Sequence, residues 1–153
     1  MKIDHDGLVM VVGGGKMLLF RNDGDRAHPN LKAEEAVQAV NPPDREQASD
    51  APGRTAGPAG AARSAIDQTD FHQQAEDRFA ADASALLNKR ALARDYEQLI
   101  IIAPPRTLGE MRRHYHKELQ SRLVGEIAKD LTGHPVPEIE AAISQNWWGW
   151  RPA

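Results

Sequence analysis

Five consecutive apolar residues, Leu99-Ile100-Ile101-Ile102-Ala103, run directly into Pro104-Pro105-Arg106-Thr107, and this junction constrains the fold more than any other feature of the chain. A β-branched run with no polar alternation is a strand covered on both faces, the signature of a central strand in a helix-flanked sheet. Two prolines cannot continue such a strand, and Thr107-x-x-Glu110 just beyond them has the form of a capping box opening a helix. Leu108, Met111, Tyr115, Leu119 and Leu123 extend that helix as one buried stripe at steps of three and four.

Upstream, residues 7–12 and 16–21 read as two short apolar strands joined by Gly13-Gly14-Gly15, which supplies the positive φ angles of a tight turn. Asn22-Asp23-Gly24-Asp25 is a second turn signal. Residues 31–40 carry the Ala and Glu content of a helix but follow a hairpin, and the position favours a third strand. A helix over 71–95 places Ala75, Phe79, Ala83, Leu86, Leu87 and Arg90 on one face. Residues 124–131 read as a last strand. Pro135 and Pro137, with Glu138 and Glu140 in the first turn, open a final helix with Val136, Ile139 and Ile143 as its apolar face. The expectation is an α/β mixed-sheet sandwich of order ββ(β)αβαβα, one domain over 1–146 with a tryptophan-rich tail at 147–153.

Residues 41–70 break this pattern. Four prolines and many Ala, Ser and Gly residues leave Ile66 as almost the only large apolar side chain. Such a composition buries too little to offset its ordering entropy, so a long flexible loop is expected there.

Composition narrows the function classes. With no cysteine, disulfides, thiolate metal sites and cysteine catalysis are excluded. A formal charge of −3 argues against a general polyanion grip while leaving room for a local basic patch. Met-Lys-Ile-Asp-His-Asp has no apolar signal core, and the run at 99–103 is too short to cross a bilayer, so a cytoplasmic protein without membrane insertion is expected.

Gly13-Gly14-Gly15-Lys16 does not have the spacing of a phosphate loop and reads better as a turn. His72 and Glu76 share a helix face, while His114 and His116 diverge on theirs; neither pair makes a metal site, and no metal or cofactor is expected. The best candidate binding surface is basic: Arg106 at the strand end, then Arg112, Arg113 and Lys117. Interleaved Glu110, Glu118 and Glu126 leave two readings open, a solvated helix face or a contact for an anionic partner such as structured RNA. Asp130, at the end of the last strand, and Gln68, in the distal half of the loop, complete the candidates. No nucleophile, base and orienter set is legible. Trp147-Trp148-Gly149-Trp150 either folds back on the core or offers a sticky patch for homo-oligomerisation.

Several of these segments, in this order, resemble the bacterial host attachment family, which is itself similar to the middle domain of archaeal and eukaryotic class I release factors. The resemblance rests on residues 20–24 (FRNDG), Pro52-Gly53-Arg54, residues 70–79, Ala103-Pro104-Pro105-Arg106 with Leu108-Gly109, and 124–132 ending in Lys-Asp-Leu-Thr. One departure counts: members tend to carry Asp-Gly at the end of the first strand, where this chain has Val12-Gly13. That resemblance implies an α/β domain and a non-enzymatic binding protein at the ribosome or on structured RNA. Its alternatives are a hydrolase acting on peptidyl-tRNA in stalled-ribosome rescue, and an adhesion factor. The release-factor domain works through a Gly-Gly-Gln loop; 41–70 contains none, and Gln68 is its only distal glutamine.

Overall fold

The computed structural model describes residues 1–39 and 58–145, with the backbone alone described over 58–71. Five strands form one mixed sheet: β1 (Leu8–Gly13), β2 (Lys16–Asn22), β3 (Leu31–Gln38), β4 (Leu99–Ala103) and β5 (Leu123–Ala128). Their spatial order is β3-β2-β1-β4-β5. The first three make an antiparallel meander, whereas β4 lies parallel to β1 and β5 parallel to β4. Among the described residues four helices accompany them: α1 (Pro58–Leu92), α2 (Pro105–Arg112), α3 (Lys117–Arg122) and α4 (Val136–Gln145). The expected α/β sandwich is the observed fold, including the strand reading of β3.

Both faces of the sheet are covered. Leu8, Met10, Val12, Leu99 and Ile101 face Ala83, Leu87 and Ala91 of α1, with Leu108, Met111 and Leu119 of α2 and α3. Val9, Val11, Ile100 and Ile102 face Ile139 and Ile143 of α4. All five residues of β4 are buried, as its unbroken apolar run requires. Gly14 and Gly15, at φ +55° and +76°, form a two-residue turn that pairs Gly13 with Lys16. These are the left-handed angles of the hairpin turn whose twist matches its strands.

Three local expectations need correction. Residues 58–70, assigned to the loop, belong to α1. Pro58 suits a first helical turn and Ala59, Ala61, Ala62 and Ala65 are strong helix formers, so the composition that reads as a loop also suits a helix. The rest of that loop, 40–57, and the tail from 146 lie outside the described residues. Thr107 does not cap α2; Pro104 takes the cap position and no side chain caps the end, because Pro105 starts the helix itself. Finally, the stripe from Leu108 to Leu119 is split over two helices. Ser84 donates to the Met111 carbonyl at 3.1 Å, and Asn88 donates to the His114 carbonyl at 2.7 Å while accepting from the His116 N–H at 2.9 Å. These α1 side chains satisfy the backbone groups that a break exposes, and the His116 ring then caps α3.

Chain direction sets the two edges of the sheet apart. β1, β3 and β4 end at one edge, here called the carboxyl edge, and α1 descends from it to the start of β4. Helix α1 has 35 residues, or about 52 Å. Among its described side chains, the fully buried ones run from Ala80 to Ala91, about 18 Å of helix. At its other end α1 stops in a Schellman arrangement, Asp95 N–H to Arg90 and Arg94 N–H to Ala91, with Arg94 left-handed at φ +58°.

Candidate functional site

In open α/β sheets, functional groups gather outside the carboxyl ends of parallel strands where the chain leaves in opposite directions. Here that point lies between β1, which turns back into β2, and β4, which leaves through α2 toward β5. Arg106 stands at this edge in the first turn of α2. Lys16 stands there beside the glycine turn, and Lys129 follows the last residue of β5. All three are exposed, and among the described residues none makes an ion pair or side-chain hydrogen bond.

Asp130 reaches the same edge. Its Oδ1 accepts from the Thr132 N–H at 3.1 Å and the Thr132 hydroxyl at 2.6 Å. A Cβ placed on Gly13 would lie 2.5 Å from that oxygen and 2.7 Å from the carboxyl carbon. The Asp130 carboxylate thus occupies the room that a side chain at the end of β1 would need. The acid that the resemblance places at the end of the first strand would stand at position 12, where this chain has the buried Val12; the Asp130 carboxylate lies beside the next residue, Gly13, and is contributed from beyond β5.

The remaining basic candidates are placed differently. Arg112 points away from the edge and is committed to Glu126 of β5, its Nε and Nη2 donating to Oε1 at 3.0 and 2.8 Å. The Glu126 side chain is only 3% exposed, and Tyr115 donates its hydroxyl to the second oxygen at 2.6 Å. Burial, followed by that hydrogen bond, pushes the Tyr115 phenol well above its ordinary range, so it remains a donor. Arg113 pairs with Glu110 at 3.2 Å, and His114 and Arg113 together hold that half-buried carboxyl below its usual range. Lys117 is exposed without a partner among the described residues, but it opens α3, further down the flank. The structure therefore separates Arg106 from the Arg112, Arg113 and Lys117 patch. Gln68 lies in the helical backbone of α1. Sequence reasoning passed over Lys16 and Lys129 as binding groups, although each borders a motif it singled out.

Among the described residues no group of three or more His, Asp or Glu side chains is arranged to hold a metal ion, and no helix is long and apolar enough to cross a membrane. The edge is thus a polar platform carrying three exposed cations and one carboxylate.

The sequence model of the Bacterial archaeo-eukaryotic release factor family 12 matches residues 6–143. The chain belongs to this family. The match runs from β1 through α4 and so takes in every element that builds the edge. It supports the expected likeness to release-factor domains and gives no support to the host attachment name, which is set aside. A 48-residue stretch is 44% identical to an uncharacterized protein of Rickettsia prowazekii (strain Madrid E), covering 31% of this chain and 32% of that protein. The chain matches about a third of the length of this curated relative.

Proposed function

We propose that this release-factor family member is a non-enzymatic, cytoplasmic binding protein of the translation apparatus, meeting ribosomal or other structured RNA with the carboxyl edge of its sheet. The observation that carries the reading is the gathering of Lys16, Arg106 and Lys129 at one edge, all exposed and unpaired among the described residues. Cations already neutralised within the fold add little to a phosphate contact, whereas uncommitted ones release counterions when they meet it. The family match adds support, since release factors act in translation. Arg112 and Arg113, occupied by Glu126 and Glu110, are secondary to this surface.

Co-sedimentation of the purified protein with bacterial ribosomes across a salt series tests the reading. Binding should weaken as salt rises, and the logarithmic slope should fall by about 0.9 for each phosphate contact removed. The combined Lys16→Ala, Arg106→Ala and Lys129→Ala variant should lose binding, while Arg113→Ala with Lys117→Ala should retain most of it. The reverse ranking would return the contact to the flank of the molecule. Absence of binding at every salt concentration would overturn the ribosome reading.

A further inference from the structure

At the edge opposite the candidate site, the amino-terminal segment, the turn after β2 and the end of α4 enclose a groove of about 460 Å³, within the size range of small-ligand sites. Its apolar lining comes from Met1, Ile3, Ala27, Pro29 and Ile143, and the cationic Lys2 and Arg26 stand at it. The backbone holds it together: the Met1 nitrogen donates to the Ile143 carbonyl at 3.1 Å, and Asn22 donates to the carbonyls of Ile3 and Asp25 on its two sides.

We propose that this groove is the docking site of the chain's own tryptophan segment, Trp147-Trp148-Gly149-Trp150. Three observations favour this occupant. Ile143 and Ser144 line the groove and Gln145 ends α4, so Trp147 follows three residues after the wall and reaches it within about 10 Å of extended chain. The groove offers apolar surface of the kind an indole ring buries in quantity. Arg26 and Lys2 supply guanidinium and ammonium groups suited to the indole face, and among the described residues Arg26 is held only by a distant contact with Asp4 at 3.8 Å. Docking there fastens the end of α4 to the amino-terminal segment and removes three large aromatic side chains from solvent.

The chain has three tryptophans, all within 147–150, so its tryptophan fluorescence reads this segment alone. The full-length protein should emit to the blue of the guanidinium-unfolded chain and be protected from acrylamide, at every protein concentration. Ala27→Asp and Pro29→Asp, which place charge at the groove without touching the sheet, should shift emission to the red and remove the protection, with circular dichroism unchanged. Lys16→Asp, at the far edge, should change neither. Unfolded-like emission from the native protein would overturn the proposal, as would emission indifferent to the groove variants. Protection that disappears on dilution would overturn it in favour of docking onto a second copy.

Discussion

At the amino edge of the sheet, Asn22 and a cluster of Arg21, Glu34, Glu35, Arg90 and Asp95 are bound to one another and to the backbone. At the carboxyl edge, Lys16, Arg106 and Lys129 have no partner among the described residues. Arg21 reaches Glu34 at 3.1 Å and Asp95 at 2.9 Å, and Arg90 reaches Glu34, Glu35 and Asp95 at 2.8, 2.7 and 3.2 Å. These contacts tie β2, β3 and the end of α1 together. The difference is one of degree: Arg21 and Arg90 cross-link the fold at the amino edge, where Lys2, Lys32 and Arg94 are also exposed without a partner among the described residues, whereas Lys16, Arg106 and Lys129 at the carboxyl edge are all uncommitted.

Asn22 offers the most damaging way to break the closed edge. Fully buried, it donates to the carbonyls of Ile3, Asp4 and Asp25 and accepts from the Gly24 and Asn30 amides. Asn22→Ala orphans several of these groups at roughly 1–3 kcal/mol each where water cannot reach, so a total loss of about 3 kcal/mol is expected in denaturant unfolding. A loss below about 0.5 kcal/mol, the level of an ordinary surface change, would mean that the turn is held by other contacts.

Arg112 tests whether a cation assigned to binding is instead structural. Arg112→Ala leaves the buried Glu126 carboxylate with Tyr115 as its remaining partner. Removing one member of a fully buried pair costs about 3–5 kcal/mol, but Arg112 is half in water, so about 1–2 kcal/mol is expected. Equal stability of Arg112→Ala and wild type in thermal unfolding would return this residue to the pool of free cations.

Gly13 sharpens the comparison at the open edge. Gly13→Ala puts a methyl where the Asp130 carboxylate stands and should cost about 1 kcal/mol, the cost of an ordinary point mutation, because an exposed side chain can swing aside. Asp130→Ala should relieve much of that cost, a coupling read by a double-mutant cycle. Strict additivity would separate the two residues energetically.

Local signals carried much of the architecture. The unbroken run at β4, the glycines of the first turn and the proline-flanked start of α4 each act through nearest neighbours, and each reads directly from spacing. Position after a hairpin outweighed composition for β3, since an edge strand with most side chains exposed tolerates Lys, Glu and Ala. What escaped depends on distance along the chain. Ser84 and Asn88 decide where the helix after β4 breaks, from a helix some 26 residues earlier. Glu126 pairs with Arg112 and occupies its charge, and Asp130, from beyond β5, fills the space over Gly13. The grouping of Lys16 and Lys129 with Arg106 depends on strand order, which no local motif encodes.

Arg106 gives the smallest expected effect on stability and the sharpest contrast with the closed edge. It sits in the first turn of α2, directly after Pro105, exposed and with no ion pair or hydrogen bond among the described residues. Its charge lies at the amino end of a helix, where the backbone dipole favours anions, so the fold gains nothing electrostatic from a cation there. Arg106→Ala should therefore leave the unfolding midpoint within about 0.5 kcal/mol of wild type, and could raise it slightly. A phosphate at the same place meets both the guanidinium and the amide groups of the helix start. A cation set against the local dipole adds nothing to stability, which is consistent with the proposed contact with an anionic partner. Arg106→Ala that unfolds earlier by 1 kcal/mol or more, about the loss expected for Arg112→Ala, would make the two edges alike and remove the basis for assigning one of them to a partner.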